Sequence, residues 1–322
     1  MIVFITTRGH GYTVDPLVRG LFDFDLPKVR TASYEDLFRA RNVPAATYVF
    51  TDIERLSPAE LQLAADLYRG FGEAGLVRLN NPAAVLGRYE LLRALHRNGF
   101  NPFNAYRADD QPRPARFPVI LRQEFDHKRP MSELLQSQDE LDHWLAKARD
   151  EGVPLRGWLV IEFCAEPIAP GMWAIYGTFR IGDAMHLDHG VVENTWCAKY
   201  GTAGLATEDV IRAMRKSIET NEFTDTIRPA FEVGGIEYGR ADHAPVGGRH
   251  LVYEINTNPT IRGPRVSRSP IYTEALTFSR ERFAKLLWRI DSGDGRKIPV
   301  PRSDRLKQYR RRNFWTRSPI RP

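Results

Sequence analysis

The strongest constraint on the fold of this 322-residue chain is a pair of strand-like segments within residues 238–260, separated by two glycines. A glycine pair at 247–248 can turn the chain back on itself, so that the two segments form neighbouring strands. Glu254 and Asn256 are two residues apart, and on an extended strand both side chains leave the same face. Asp242 lies on the first segment and is able to face the same way. We therefore predict that these three side chains converge on one side of a β-hairpin.

Asp242, Glu254 and Asn256 together offer only oxygen atoms as ligands. Such a set suits Mg²⁺ bound to phosphate oxygens, with Mn²⁺ as an alternative ion, far better than it suits zinc. A different interpretation is a hairpin whose Asn-Pro turn and carboxylates are simply solvated. That interpretation explains Asp242 or Glu254 alone, but not the occurrence of both carboxylates together with Arg240 and the asparagine.

The residues Arg240, Asp242 and Glu254-Ile-Asn256-Thr-Asn-Pro259 resemble the metal-binding end of the ATP-grasp superfamily. Members of this superfamily carry an Asp, then a Glu-x-Asn-x-x-Pro run, and often an Arg two residues before the Asp. The resemblance is good over residues 80–290 and extends to the first 80 residues by architecture. It implies that ATP is bound with Mg²⁺, and that Asp242, Glu254 and Asn256 hold the metal.

The order of predicted elements agrees with this resemblance. Residues 1–80 alternate strand-like and helix-like segments, which is typical of a small parallel sheet, and Ser57 begins a capping box followed by proline. An apolar strand at 158–164 precedes a hairpin at 174–192. We predict a mixed α/β and α+β fold, with a small N-terminal parallel-sheet lobe followed by a two-subdomain ATP-grasp fold. The predicted boundaries are 1–80 for the lobe, 81–157 and 158–292 for the two subdomains, and 293–322 for a basic C-terminal extension.

The resemblance also implies that ATP lies between two sheets, with its adenine on a strand edge. The segment 160–164 is similar to the hinge of the family, where backbone groups around Glu162, Phe163 and Cys164 would meet the adenine. Packing of an apolar strand in the core is the alternative interpretation of these residues.

Cations for the phosphates are implied at positions where the family usually has two lysines. This chain has Arg88 and Arg122 there, and arginine can bind phosphate bidentately although its geometry differs from that of lysine. The segment 123–130 replaces the usual glycine-rich flap and contains no glycine, which puts rapid closure over a nucleotide in doubt. Lys199 is a further candidate for binding phosphate or a substrate carboxylate.

Two arginines are candidates for catalysis by the resemblance. Arg180 is similar to the arginine that the family directs at the terminal phosphate, although an arginine on a surface strand would look the same. Arg240 would face the oxyanion of a tetrahedral intermediate, which a fixed cation stabilises. The implied reaction is attack of a carboxylate on the γ-phosphorus of ATP, followed by capture of the acyl phosphate by an amine or thiol.

Two alternatives to this enzyme remain open. Arginine in place of lysine and the flap without glycine also suit an ATP-binding sensor or scaffold protein that has lost the reaction. Separately, His186, Asp188, His189 and His243 invite a zinc hypothesis. Strand alternation is expected to send His186 and His189 to opposite faces, which argues against that site. Arg262 is a candidate for orienting a substrate carboxylate.

The net charge of +6 is concentrated at the C-terminus, where residues 296–322 contain ten Lys or Arg and one Asp. The other residues therefore carry a net charge of about −3. Such a tail could bind nucleic acid or an anionic surface through phosphate contacts. A solvated or loosely docked extension is the commoner outcome for a terminus of this kind.

The remaining composition bears on compartment and partners. No apolar run approaches the roughly 20 residues of a membrane helix, and the N-terminal residues lack a secretion pattern. Only Cys164 and Cys197 are present, which fits a reducing cytoplasm. The expected partners are a small-molecule or peptide carboxylate and an amine or thiol acceptor. A homo-oligomer is compatible with the sequence.

Overall fold

A computed structural model describes residues 1–125, 130–197, 201–263 and 267–312. The strands are β1 Ile2–Thr6, β2 Val29–Ser33, β3 Asn42–Pro44, β4 Thr47–Phe50, β5 Arg78–Leu79, β6 Ala105–Arg107, β7 Val119–Gln123, β8 Trp158–Glu162, β9 Trp173–Ile181, β10 Ala184–Glu193, β11 Tyr238–Val246, β12 Arg249–Asn256 and β13 Lys297–Pro299. The helices are α1 Asp15–Val18, α2 Tyr34–Arg39, α3 Pro58–Glu73, α4 Arg88–Arg97, α5 Gln138–Asp150, α6 Glu208–Thr220, α7 Thr224–Val233, α8 Pro270–Ile290 and α9 Asp304–Arg312.

The N-terminal lobe is built on a parallel sheet in the order β2-β1-β4-β5. Every residue of β1 and β4 is buried, as expected for central strands of a parallel sheet that is covered on both faces. Helix α3 begins with the predicted capping box, in which the Ser57 side chain accepts from Glu60 N and the Glu60 carboxylate accepts from Ser57 N. The predicted parallel-sheet lobe is therefore confirmed.

The C-terminal segment up to residue 312 packs onto this lobe. Strand β13 pairs antiparallel with β3, and α9 contacts α2 and α3. Val300 and Leu306 belong to the lobe's core, and the Arg305 guanidinium donates to the Asp66 carboxylate at 2.9 Å. This part of the basic extension is thus not simply solvated, because two apolar side chains anchor it. Residues 313–322 lie outside the described residues.

A three-stranded antiparallel sheet follows in the order β6-β8-β7. One face packs on α5 through an apolar cluster that includes Leu141, Leu145 and Val160. Helix α5 begins after Ser137, whose hydroxyl accepts from Glu140 N. The opposite face contributes to a second cluster, which includes Leu159 and residues of α4 and β12.

The second sheet of the C-terminal part is antiparallel in the order β10-β9-β11-β12. Helix α8 packs on β10 and β9, and its Phe283 and Leu287 share a core with Phe4 of β1 and Phe179 of β9. Helix α7 packs on β9, β10 and β12. The predicted hairpin of β9 and β10 is confirmed, while α7 was not predicted because Pro229 lies inside it.

Asn80 connects the N-terminal lobe to this sheet. Its amide nitrogen donates to the carbonyls of Phe50 and Tyr238 at 2.9 and 2.7 Å, and its Oδ1 accepts from the backbone nitrogens of Glu237 and Tyr238 at 2.8 Å each. The residue is fully buried. These bonds fix β4 beside β11 and thereby position the hairpin of β11 and β12.

Candidate functional site

The hairpin of β11 and β12 brings together the predicted metal-binding side chains. The register pairs Asp242 with Glu254 and Arg240 with Asn256, and directly paired residues project from the same face of a sheet. The turn at 247–248 has positive φ at both glycines, 56° and 75°, as a tight two-residue hairpin requires. Four polar side chains therefore lie side by side on one face.

A cavity of about 330 Å³ opens over these side chains. It lies between the β6-β8-β7 sheet and the β10-β9-β11-β12 sheet, and the segment after β8 forms one wall. The predicted site residues that line it are Arg122, Glu162, Phe163, Cys164, Arg240, Asp242, Glu254 and Asn256. Aromatic walls at Phe103, Trp173, Trp196 and Tyr253 were not predicted as site residues, and the sequence offers no signal that distinguishes them from core aromatics.

Glu254 is buried between two arginines. Its Oε2 lies 2.7 Å from a guanidinium nitrogen of Arg88 and 2.7 Å from one of Arg122. Arg88 also donates to the carbonyls of Gln123 and Glu124. Burial lowers the pKa of Arg88, and the Glu254 carboxylate opposes this shift. The buried carboxylate is thus held in place from two sides.

The two arginines differ in their access to the cavity. Arg122 lines the cavity, whereas Arg88 is 8% exposed and lies behind Glu254. The resemblance implied a direct contact of Arg88 with phosphate, whereas in the structure its guanidinium contacts a carboxylate and two carbonyls. Arg88 positions Glu254 instead.

Arg240 lies at the inner end of the cavity. Its Nε is 3.4 Å from Asp242 Oδ1, and its guanidinium carbon is 5.9 Å from the centre of the Phe179 ring. Burial works against the charge of Arg240, but the carboxylates of Asp242, Asp188 and Glu254 more than offset it and raise the pKa of this arginine. Arg240 is therefore a permanent cation at the edge of the site.

The donor set fits a hard cation by its chemistry. Asp242 is partly exposed to the cavity, and Asn256 Oδ1 accepts from Asn258 N at 2.8 Å, which orients the amide. Among the described residues no group of three or more His, Cys, Asp or Glu is arranged to hold a metal ion. The predicted set has two carboxylates and one amide, all oxygen donors, and would need phosphate oxygens or water to complete the coordination.

The predicted adenine hinge lines the cavity, but its groups are largely engaged within the protein. The Glu162 carboxylate accepts from Tyr106 Oη, from the backbone nitrogens of Asn104 and Ala115, and from a third backbone nitrogen at residue 116. It thereby fastens the segment 104–116 to β8. Cys164 O accepts from Tyr253 Oη at 2.8 Å.

Cys164 remains a thiol in this environment. Burial raises its pKa, and a hydrogen bond to Arg116 only partly opposes the shift. A raised pKa disfavours the nucleophilic thiolate. The wall formed by 162–164 is therefore better suited to packing against a flat ring than to covalent chemistry.

Arg180 does not line this cavity, so the structure does not bring it together with the other predicted site residues. It pairs with Gly239, whereas Arg240 pairs with Phe179, so the two arginines project from opposite faces of the sheet. The Arg180 guanidinium donates to the carbonyls of Gly182 and Ile236 at 2.9 and 3.2 Å. These bonds stabilise the end of the β9–β10 hairpin.

Some predicted features lie outside the described residues. Lys199 is one of them, and residues 126–129 of the segment that replaces the flap are others. The prediction for Lys199 stays a prediction. Arg262 is described and lines the cavity.

The faces of β10 differ from the sequence prediction. A β-bulge between Leu187 and His189 pairs His186 with Phe179 and His189 with Gly177, so both histidines lie on the same face. His186 is fully buried beside Ser279 of α8, whereas His189 is partly exposed and hydrogen-bonded to Asp188. Simple alternation fails here because the bulge inserts one residue.

No family model matches the sequence, and no curated protein matches it. Among solved structures, a D-alanine–D-alanine ligase from Bacillus anthracis, determined in complex with ATP, is similar over 90% of this chain and 96% of its own, with 10% identity and a TM-score of 0.50. This chain has the ATP-grasp fold.

Two other solved structures are similar with lower TM-scores. An L-amino acid ligase from Bacillus licheniformis is 13% identical over 80% of this chain and 66% of its own, with a TM-score of 0.44. The ATP-grasp ligase PsnB, complexed with a minimal precursor, is 14% identical over 86% and 99%, with a TM-score of 0.46.

The cavity lies between the two antiparallel sheets of the ATP-grasp fold, where the sequence resemblance places the nucleotide. The predicted architecture is thereby confirmed. Among the described residues, no helix is both long and apolar enough to cross a bilayer.

Proposed function

We propose that this protein is an ATP- and Mg²⁺-dependent ligase that joins a carboxylate to an amine or thiol through an acyl phosphate. The observation that carries this proposal is the register of β11 and β12, which sets Arg240, Asp242, Glu254 and Asn256 side by side beneath the cavity between two sheets. Similarity in fold to a D-alanine–D-alanine ligase solved with ATP supports a reaction of this class.

Asp242, Glu254 and Asn256 would hold the divalent ion in the proposed site. When bound, such an ion supplies positive charge that neutralises the phosphates during transfer. The chain's own contribution is to fix the donors before the nucleotide arrives. Arg88 holds Glu254 from behind, and the backbone nitrogen of Asn258 holds the Asn256 amide.

Arg122 and Arg240 provide the cationic contacts in this proposal. Arg122 lines the cavity and would contact phosphate oxygens, for which a planar guanidinium is well suited. Arg240 would stabilise the oxyanion that forms when the acyl carbonyl is attacked. A preoriented, partly buried cation does this without reorganisation at the moment of reaction.

The adenine would pack on the apolar and aromatic wall. Ile161, Phe163 and Tyr253 line this part of the cavity, and Phe163 meets the Trp196 ring edge-on at 5.3 Å. These rings also limit access of water to the reacting groups. Exclusion of water matters because an acyl phosphate hydrolyses unless its acceptor is favoured.

The proposal is tested by ATP turnover in the presence of candidate acids and acceptors. We expect ADP release to be stimulated by a specific carboxylate and amine or thiol, and to be lost in Glu254→Gln and Asn256→Ala. Glu281→Ala is the matched control, because Glu281 is exposed on α8 away from the cavity. Unchanged ADP release in both site variants would refute the metal assignment.

A nucleotide sensor is the second candidate function. The observation that favours it is the pairing of both Arg88 and Arg122 with the single Glu254 oxygen. This pairing competes with metal coordination by that carboxylate. A sensor would bind ATP in a direct titration but would release no stoichiometric ADP with any acid and acceptor.

A further inference from the structure

A second cavity adjoins the first one and is not used by the proposed nucleotide site. Its volume is about 70 Å³, and it shares Arg240, Thr260 and Arg262 with the larger cavity. The segment 17–26 of the N-terminal lobe contributes an apolar wall, in which the rings of Phe22 and Phe24 stack at 5.1 Å. The two cavities thus meet at the cation proposed to stabilise the oxyanion.

Two polar side chains of β10 line this second cavity and form an oriented pair. His189 Nδ1 lies 2.7 Å from Asp188 Oδ2, and both residues line the cavity. Burial works against ionisation of Asp188, but its hydrogen bond to His189 holds the pKa of this carboxyl well below its usual range. An ionised carboxylate only accepts hydrogen bonds, so the proton of a neutral imidazole is on Nδ1 and Nε2 has a lone pair.

Asp188 is itself fixed by a neighbouring helix. The Ser279 hydroxyl of α8 donates to the Asp188 backbone carbonyl at 2.7 Å. This bond braces the β-bulge of β10 at the residue that orients His189. The arrangement has the form of a base held by a carboxylate, which is the usual requirement for general base catalysis by histidine.

The His189 ring packs closely over Gly177 of β9. A Cβ atom at residue 177 would lie 2.6 Å from His189 Cε1 and 3.1 Å from Arg240 Cδ. Only the absence of a side chain at 177 therefore lets the imidazole and the Arg240 stem lie over the strand together. The register places His189, Gly177 and Asp242 in one row across β10, β9 and β11.

This row also fixes the distance between the backbones at His189 and Asp242. Adjacent strands are about 4.8 Å apart, so the backbones at His189 and Asp242 are separated by roughly 10 Å. Asp242 lines the larger cavity and His189 lines the smaller one. Arg240, in the adjoining row, lines both cavities.

We propose that the second cavity receives the acceptor, an amine attached to an apolar group, and that His189 is the general base that deprotonates it. This proposal rests on the proposed ligase function. Asp188 and Gly177 are positioning residues, since they act through His189.

The proposed step transfers two protons and exchanges one bond at the acyl carbon. His189 Nε2 takes one proton from the ammonium group, which leaves a neutral amine. The amine nitrogen forms a bond to the acyl carbon, and the carbon–oxygen bond to phosphate breaks. The second nitrogen-bound proton leaves with inorganic phosphate, and the imidazolium returns its proton to water. The products are an amide and phosphate, with no oxidation or reduction.

The apolar wall determines the class of acceptor. Side chains of the segment 17–26 and Phe283 form an apolar wall on one side of the cavity, and Asp188, His189 and three arginines, Arg240, Arg262 and Arg280, form the polar part of its lining. The apolar wall would desolvate the alkyl part of the amine. Desolvation of an ammonium group disfavours its charge. The same wall that binds the acceptor therefore assists its deprotonation.

The test separates formation of the acyl phosphate from its capture. The full-length protein is incubated with ATP, MgCl₂ and a panel of amino and dicarboxylic acids, with either hydroxylamine or leucinamide as the acceptor. Hydroxylamine is uncharged at neutral pH and needs no base, whereas leucinamide carries an apolar side chain and an ammonium group. Hydroxamate and amide products are measured separately.

We expect His189→Gln to form hydroxamate at a rate similar to the wild-type protein and to lose amide formation by about 100-fold, the usual contribution of a general base. The exposed His143→Gln is the matched control and should behave as wild type. Equal loss of both products, or full retention of amide formation, in His189→Gln would overturn the assignment of the base. If the wild-type protein forms no hydroxamate with any acid, the ligase function itself is refuted, and this inference with it.

Two further readouts test the geometry, and the first of them is independent of activity. In ¹⁵N NMR spectra of histidine-labelled protein, we expect His189 to be protonated at Nδ1 and unprotonated at Nε2. Gly177→Ala should perturb the His189 resonances and reduce kcat for amide formation more than it changes KM for ATP. A His189 ring protonated at Nε2 instead would contradict the geometry on which the proposal is built.

Discussion

Arg240 is the residue whose replacement most sharply separates the proposed chemistry from the stability of the fold. It is about 17% exposed at the side chain, lies 3.4 Å from Asp242 Oδ1, and faces both cavities. A fixed cation or donor directed at a developing oxyanion contributes about 10²–10³ in kcat, or roughly 3–4 kcal/mol. We therefore expect Arg240→Gln to lower kcat by that factor.

Arg180 supplies the matched control for this prediction. It is an arginine on the neighbouring strand β9, but it projects from the opposite face and donates to two backbone carbonyls. Arg180→Gln removes hydrogen bonds to the Gly182 and Ile236 carbonyls, which is expected to cost about 1–3 kcal/mol of unfolding free energy. Its kcat should stay within a few-fold of the wild type.

The assay measures ADP release at saturating ATP together with thermal melting of each variant. Arg240→Gln is expected to keep the KM for ATP within a few-fold, because the lost interaction belongs to the transition state. The reasoning is refuted if Arg240→Gln retains near wild-type kcat. It is refuted equally if Arg180→Gln loses as much kcat as Arg240→Gln without a corresponding loss of stability.

Two further predictions concern stability. Asn80→Ala removes four buried hydrogen bonds made by this side chain. Urea titration should therefore show that the free energy of unfolding falls by about 3 kcal/mol or more. The neighbouring variant Asn81→Ala is the control and should lose less. Burial lowers the pKa of His186 and of His250 from 6.5 to about 4, so the folded state resists protonation that the unfolded state accepts. The free energy of unfolding should therefore be fully retained above pH 6.5 and fall as the pH decreases towards 4, by up to about 3 kcal/mol for the fully buried His186 and by less for the partly exposed His250. His250→Gln should flatten this dependence, and an unchanged slope would contradict the assignment.

The hairpin could be predicted because the residues that define it are close together in the sequence. Two glycines define the turn, and residues two apart on β12 must share a face. The same reasoning predicted the cap of α3 from Ser57 and Glu60. The predictions for Asp242, Glu254 and Asn256 thus depended on no contact between distant segments.

The position of Arg180 could not be predicted in this way. Its face depends on the register between β9 and β11, which are separated by more than 50 residues, and a shift of one residue reverses the face. The bulge in β10 likewise made the faces of His186 and His189 unpredictable from strand alternation. Register between distant strands is set by packing that no short pattern records.

The role of Arg88 and the position of the C-terminal extension could not be predicted either, because both depend on contacts between segments that are distant in the sequence. Arg88 begins α4, and whether its side chain reaches phosphate or Glu254 is decided by how α4 meets β12. The basic composition of the extension concealed the two apolar anchors, Val300 and Leu306, that dock it on the N-terminal lobe. For Arg88 the resemblance implied a phosphate, and for the extension the charge allowed a polyanion, whereas the structure shows an internal partner for each.

The central claim is that Asp242, Glu254 and Asn256 bind a divalent ion together with the phosphates of ATP. The most direct measurement is a crystal structure with Mn²⁺ and a non-hydrolysable ATP analogue, using anomalous scattering to locate the metal. We predict a manganese peak within about 2.0–2.3 Å of oxygens from these three side chains, and phosphate oxygens in the same coordination shell. A metal bound elsewhere, or a nucleotide outside the cavity between the two sheets, would contradict the claim.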